Sequence, residues 1–331
     1  MVARSTDGEP DDWQDVRVFG DPIGEFPGTV RPSAYGIVSD GHGRLAVVRT
    51  PLGYFLPGGG RDAAETVERT VIREAAEECG LMVEVGGWRA SAIEHVPSAA
   101  ERAHYEKRSW FCEAAALGSS DDRIESDHEL LWMAPAGALT ALTPPSHRWA
   151  VEQWMAARDP EAPIIHVITA DEWRAYRDLR LRALTESPDA FGSMLVWERD
   201  RADADWRRRL EGATDRRFQL PVLARLRDQP IGLAWGCIRE TRPESANVYQ
   251  MWVAPEARGH GVGRLLLDGV VDWARRAGAQ LVELNVTCGD TPARRMYERA
   301  GFEAVGDPEP LRSGSQLMKQ PMRLLLNQAA G

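Results

Sequence analysis

The stretch from Gly59 to Leu81, GGRDAAETVERTVIREAAEECGL, constrains this chain more than any other. It sets Gly59, Glu65, Arg73-Glu74, a small Ala75, Glu77-Glu78 and Gly80-Leu81 at fixed intervals. The spacing predicts a helix starting near Thr66, on which Glu74, Glu77 and Glu78 fall at i, i+3 and i+4 and so share one face. Like charges repel there, and they sit in the last turns, where the helix dipole favours cations. The pattern makes sense if a cation supplies the missing charge. Clustered carboxylate oxygens suit Mg2+ or Mn2+, hard ions that bridge protein to substrate phosphates. Val67, Val71 and Ala75 give the opposite, apolar stripe that would dock the helix on a sheet, and Gly80 is the expected C-cap.

With glycines, arginine and glutamates all in register, the stretch resembles the box of the Nudix hydrolase family. The resemblance implies an α/β/α sandwich in which Glu74, Glu77 and Glu78 are metal-ligating and catalytic and the Gly59 carbonyl is a further ligand. It implies cleavage of a nucleoside diphosphate linked to another moiety. Arg73, partnered by Glu65, would orient the carboxylates. Some relatives use a glutamate outside the box, and Glu129 is the first candidate here, Glu125 the second. Pro97 lies where ADP-ribose-cleaving relatives often carry proline, but the surrounding VPSAA does not extend that likeness. Tyr105, Arg108 and Trp110 either stack on and pair with a nucleotide or simply alternate in exposure along a strand.

The chain has 331 residues, enough for two domains each burying its own core. Charge divides unevenly. Up to Arg158 there are 15 Lys and Arg against 25 Asp and Glu, a net of 15 − 25 = −10, and the remainder nets zero. Neither part is basic, which disfavours nucleic-acid binding and RNA cap hydrolysis in particular. Cys79, Cys112, Cys237 and Cys288 are scattered and form no CxxC pair, so neither a disulfide framework nor a zinc site is expected. No apolar run approaches a membrane span and the first residues are polar and acidic, so a cytoplasmic protein without a membrane partner is expected.

Residues 1–15 read as a flexible tail and 16–158 as a first domain. Within it, SAYGIVSD and RLAVVRT form a hairpin, LMVEVGGWRASAIEHV, YEKRSWFCEAAAL and SDHELLWM are strands, and a closing helix runs from His147 to Arg158. Residues 159–163, which hold two prolines and two acids, read as a linker. A second α/β domain fills 164–331: strand Ile164 to Val167, a helix from Asp171 as N-cap to Thr185, a helix near Asp203 to Leu210, then LPVLARLRDQPIGLAWGCIRE as two strands and VYQMWV as another.

After VYQMWVAP the chain reads Arg258-Gly259-His260-Gly261-Val262-Gly263, then RLLLDGVVDWARRAG. A glycine-rich turn between strand and helix leaves backbone N–H groups facing an anion, and the helix dipole adds to them. Alone it could equally be a dinucleotide fingerprint or a tight turn. The strand LVELNV and a helix from Pro292, TPARRMYERAGF, follow it, and together they resemble the GNAT family of N-acetyltransferases. That resemblance implies a mixed-sheet α/β domain with acetyl-CoA as cosubstrate. Its pyrophosphate would lie on Arg258, Gly259, His260, Gly261, Val262 and Gly263, and its pantetheine arm along Met251, Trp252 and Val253. Tyr297 would protonate the leaving thiolate, sensible chemistry for a phenol near sulfur. Where many relatives carry asparagine ahead of this helix, this chain has Asp290. The acceptor amine would meet the first helices and SPDAFGSM, and neither Glu240 nor Glu283, carboxylates near or on strands, stands out as its base.

The expectation is therefore a bifunctional enzyme, a metal-dependent nucleoside diphosphate hydrolase fused to an acetyl-CoA-dependent acetyltransferase acting on an amine. The alternative is an acetyltransferase carrying a Nudix-like module that senses a nucleotide without cleaving it.

Overall fold

A computed structural model describes residue 13 and residues 16–21, 28–98, 103–124 and 127–326. The flexible-tail expectation for 1–15 and the Glu125 candidate therefore fall outside the described residues, Trp13 excepted. The chain divides into two compact units, one drawn from residues up to Ala157, the other from Arg158 onward, with Leu139–Ala141 grouped with the second. No helix among the described residues is long and apolar enough to cross a membrane.

In the first unit the elements run β1 (Arg17–Phe19), β2 (Gly28–Ser39), β3 (Leu45–Thr50), β4 (Gly53–Phe55), β5 (Gly58–Gly60), α1 (Val67–Cys79), β6 (Leu81–Ser98), β7 (Ala103–Ser119), β8 (Glu129–Met133), α2 (Pro135–Ala141) and α3 (Pro145–Arg158). The sheet order is β1-β6-β7-β2-β3-β4, with β5 on β2 and β8 on β3. β2 and β7 run parallel through a twelve-residue register, Gly28 opposite His104 to Ser39 opposite Ala115. Alternation along them divides the two faces of the sheet. Ala34 and Cys112 are fully buried against Val71 of α1. Their neighbours Tyr35 and Phe111 meet His147 of α3 instead, with ring centroids 4.2 and 5.5 Å away. One helix thus covers each face, the sandwich the sequence implies.

α1 begins and ends where its residues dictate. The Thr66 hydroxyl accepts the Arg69 N–H at 3.3 Å, and Gly80 takes the left-handed conformation at φ 63°, donating its N–H to Ala76 and Ala75. Val71 and Ala75 of the expected stripe are fully buried, and Val67 packs beside them.

The second unit runs β9 (Ile164–Val167), α4 (Trp173–Glu186), α5 (Leu195–Arg199), α6 (Asp203–Glu211), β10 (Gln219–Leu226), β11 (Gln229–Arg239), β12 (Arg242–Val253), α7 (Val262–Arg276), β13 (Leu281–Thr287), α8 (Pro292–Arg299), β14 (Glu303–Ala304), β15 (Glu309–Pro310) and β16 (Met318–Leu325). Its sheet, β14-β16-β13-β12-β11-β10-β9, is antiparallel except between β12 and β13. On one side α7 buries Val262, Leu266, Leu267, Val270 and Ala274, a stripe at helical spacing. Each of these valines and leucines removed from water contributes about 1.5–3 kcal/mol. Another core joins Trp173, Tyr176 and Leu184 of α4 and Trp206 of α6 to Leu233, Trp235 and Trp252 of the sheet.

Two expectations need correction. The cap before α4 is Thr169 rather than Asp171: Thr169 and Glu172 bond each other's backbone as a capping box around a 3-10 turn, Ala170–Glu172. And the sheet continues past α8 through β14, β15 and β16, for which no strands were expected.

Candidate functional sites

α1 presents its glutamates toward β5, yet the cation among them is Arg73. Arg73 Nη1 donates to Glu74 Oε1 at 2.8 Å and to Glu77 Oε2 at 3.0 Å, while Nε and Nη2 reach the two oxygens of Glu65 at 3.0 Å each and Nη2 also the Gly60 carbonyl at 3.1 Å. The expected Arg73–Glu65 partnership is present and extends further. These bonds hold the Glu65 carboxyl down at about 2, with Thr70 assisting. Burial raises Glu74 above the ordinary carboxylate range even though Arg73 opposes it. Glu78 turns away from this cluster: Oε2 accepts the Gly58 N–H at 2.9 Å, and Oε1 lies 3.1 Å from His128 Nδ1.

Gly59 stands against Glu74 so closely that a Cβ would lie 2.7 Å from Oε1. Hard carboxylate oxygens packed beside a bare backbone strand are the donor chemistry a divalent cation uses. Among the described residues, however, no three side chains of His, Cys, Asp and Glu converge as a metal cage. Arg73 instead draws Glu74 and Glu77 together, and Glu78 bonds elsewhere.

A cleft of about 600 Å3 runs past Glu78, Gly58, Gly59 and Gly60 and is lined also by Arg31, Arg61, Lys107 and His128. His128 was not singled out in the sequence; Glu129 was, but its carboxylate is held by Arg49 on the neighbouring strand. Tyr105 and Trp110 are buried, with the Arg31 guanidinium 3.6 Å and the Arg61 guanidinium 4.7 Å from their ring centres, and Arg108 bonds Glu106. Pro97 sits on β6 opposite His104.

In the second unit, β12 and β13 pair only from Ser245–Asn247 to Leu281–Glu283. Beyond that point they part. Gln250, at φ 57°, lies in a bulge where Trp235 and Leu233 of β11 face Tyr249 and Trp252 of β12. The separated ends, Val248 to Met251 and Leu284 to Thr287, line one cleft of about 1060 Å3 with Glu186, Ser187 to Ser193, Trp235, Cys237 and Tyr297. Of SPDAFGSM, Ser187 to Ser193 border the cleft.

Tyr297 is 5 % exposed and reaches that cleft from α8, and among the described residues its hydroxyl has no hydrogen-bond partner. Burial raises its pKa above the ordinary phenol range. Of the three β12 residues, Met251 lines the cleft, Val253 is half-buried and Trp252 points into the core, donating to Glu186 at 2.9 Å. The glycine loop leads into α7 with Gly259 and Gly261 at φ 82° and 79°; open space surrounds both, so backbone conformation, not crowding, calls for glycine. The first N–H groups of α7, from Val262, Gly263 and Arg264, have no helical acceptor. His260 is exposed, and Arg258 is braced by Glu186 at 2.6 Å and the Val253 carbonyl at 3.1 Å.

Asp290 is exposed and paired with Arg295, which answers the charge it adds. Thr291 beside it caps α8 through the Arg294 N–H at 3.1 Å. Neither Glu240, which is exposed, nor Glu283, held by Arg323 and Ser245, lines the cleft.

The NUDIX domain family matches residues 29–154, and the acetyltransferase (GNAT) family matches residues 173–302. A mycothiol acetyltransferase from Brachybacterium faecium is 33% identical over 147 residues, 41% of this chain and 44% of that protein. An L-2,4-diaminobutyric acid acetyltransferase from Nocardia farcinica is 30% identical over 153 residues, 46% of this chain and 64% of that protein. The match spans under half the length of the mycothiol acetyltransferase and under two thirds of the second relative. The crystal structure of a GNAT-family acetyltransferase from Streptococcus pneumoniae aligns with 50% of this chain and 100% of its own at 18% identity and a TM-score of 0.44. The chain thus carries a Nudix domain, matched over residues 29–154, followed by a GNAT acetyltransferase domain, matched over residues 173–302.

Proposed function

We propose that the chain is a bifunctional enzyme of two domains, 16–158 and 164–331, joined by the linker 159–163. The second domain transfers the acetyl group of acetyl-CoA to an amine. One observation carries this reading: parting strands open a cleft lined by a buried tyrosine whose hydroxyl has no partner among the described residues. The open backbone edge of Val248–Met251 would receive the pantetheine arm, and the N–H groups at Gly259 to Gly263 the pyrophosphate. As the amine nitrogen bonds the acetyl carbon and the carbon–sulfur bond breaks, Tyr297 would give its proton to the departing sulfur, and the proton the nitrogen sheds would pass to solvent, from which the phenol is restored. A raised pKa keeps that proton available at ordinary pH. The acetyltransferase names of both curated relatives support the same reading.

The first domain hydrolyses a nucleoside diphosphate derivative. Glu74, Glu77 and Glu78 with the Gly59 carbonyl would hold Mg2+ or Mn2+, an ion that activates water and steadies charge on phosphate oxygens when bound. Arg31, Arg61 and Lys107 border the same cleft and offer positive charge to a diphosphate. Arg73 and Glu65 would set the carboxylates' direction. The sensing alternative is favoured by one observation, that Arg73 already bonds Glu74 and Glu77.

The test runs Mg2+-supplemented hydrolysis of nucleoside diphosphate derivatives beside thiol release from acetyl-CoA over amines. Glu77→Gln should silence only the first activity and Tyr297→Phe only the second. Thiol release without any hydrolysis, together with nucleotide binding, would select the sensing module.

A further inference from the structure

The cleft of the second domain contains a buried cation with unmet hydrogen bonds. Arg180, on α4, lines the cleft at 2 % exposure, and its Nε and Nη1 have no hydrogen-bond partner among the described residues. Its guanidinium lies 4.6 Å from the centre of the Phe191 ring, which borders the same cleft. One turn earlier, Tyr176 donates to Gln250 Oε1 at 2.9 Å, which ties α4 to the bulge of β12, and accepts from Arg209 Nη1 at 3.3 Å.

The acid of this neighbourhood is Glu198, 2 % exposed, but its Oε2 already accepts from Arg201 at 2.9 Å and from Arg209 at 3.3 Å. Arg208, Arg209 and Arg180 all border the cleft. Of the three only Arg180 is buried: Arg209 is half-buried and paired with Glu198, and Arg208 is exposed and paired with Asp205. An unpaired buried guanidinium is costly, and a planar anion that takes two of its N–H groups in parallel removes that cost.

We propose that Arg180 receives a carboxylate of the acetyl acceptor, so that the acceptor is a small amino-acid-like molecule bearing both an amine and a carboxylate. This rests on the acetyl-transfer reading above and narrows it. A folded protein's N-terminus, which has no carboxylate beside its amine, is a poorer fit. Arg180 touches the non-reacting end of the acceptor, making it a specificity residue.

The experiment measures acetyl-CoA thiol release with amino acids and their decarboxylated counterparts in pairs: lysine and cadaverine, ornithine and putrescine, tyrosine and tyramine, phenylalanine and phenethylamine. The full-length protein is used, wild type, Arg180→Gln and Arg180→Lys, with calorimetric titration of acetyl-CoA into each. The expected result is a preference of at least ~10-fold in kcat/KM for carboxylate-bearing acceptors, a bidentate charged contact supporting a difference of that size. Arg180→Gln should erase it through the acceptor KM while acetyl-CoA affinity holds, and Arg180→Lys should keep part of it. Equal or better turnover of the decarboxylated amines, or no carboxylate-bearing acceptor at all while acetyl-CoA binds, overturns the proposal. So does a weakening confined to acetyl-CoA in Arg180→Gln. Failure of wild type to bind acetyl-CoA is a different result, since it removes the acetyl-transfer reading itself. If Arg180→Gln does not fold, the wild-type preference and the lysine variant still decide.

Discussion

Gly59 and Glu74 are packed back to back: a Cβ on the glycine would stand 2.7 Å from Glu74 Oε1, 2.9 Å from its carboxyl carbon and 2.9 Å from Oε2. Every atom of that carboxyl group would be pushed. Gly59→Ala should therefore shift Glu74 and lower nucleoside diphosphate hydrolysis by ~10²-fold, the penalty a misplacement near 1 Å carries. Acetyl transfer by the same protein should be unchanged, which gives the measurement an internal control. Undiminished hydrolysis would mean that Glu74 takes no part.

The end of α1 yields a stability prediction independent of function. Gly80 holds φ 63°, a left-handed conformation that side chains resist, and a Cβ there would meet the Ser120 carbonyl at 3.2 Å. Gly80→Ala should cost about 1–2 kcal/mol, read as a shift of the denaturant midpoint of the first domain. An unchanged midpoint would show that the helix ends otherwise.

How much could be foreseen follows from how local each cause is. Thr66, Gly80 and the Val71–Ala75 stripe act within a few residues, so the ends and the buried face of α1 were legible. So was the glycine loop before α7. The Arg73–Glu65 pair is legible, but the bridge from Arg73 to Glu74 and Glu77 is not, because its rotamer also answers to the Gly60 carbonyl of β5. Thr169 was missed in favour of Asp171 even though Thr169 and Glu172 have capping-box spacing. Arg180 carries no mark in the sequence; its burial beside Phe191 is a matter of tertiary packing. The positive φ of Gln250 has no sequence mark at all, since a bulge is set by the strand opposite.

Acid should weaken the second domain through Glu172. Burial opposes its ionisation, yet bonds from His166 at 2.8 Å, the Thr169 N–H at 3.0 Å and Arg225 at 2.6 Å outweigh that and bring its pKa to about 2 from 4.5. The folded state thus favours the ionised form. Its contribution is fully present above pH 4.5 and is lost as pH falls toward 2. Discounted for the 24% of the side chain that is exposed, it amounts to roughly 1–2 kcal/mol. Glu172→Gln should be less stable at neutral pH and show a flatter decline across that window in denaturation measured from pH 2 to 6. An identical slope in both proteins would remove Glu172 from the account.

Tyr297 separates a chemical role from a packing role. Its ring is buried beside Phe302, centroids 6.0 Å apart, and phenylalanine keeps that contact. Because the hydroxyl has no partner among the described residues, Tyr297→Phe should change stability by less than ~0.5 kcal/mol. If the phenol protonates the leaving thiolate, acetyl transfer should nevertheless fall by ~10²-fold or more, the usual contribution of a positioned acid. The pH profile adds a second reading. Burial holds the phenol protonated above its ordinary range, so wild-type kcat should show no decline from loss of this proton up to pH 10. A variant that keeps both stability and rate would show Tyr297 to be an aromatic of the cleft wall, and the proton for sulfur would then come from solvent.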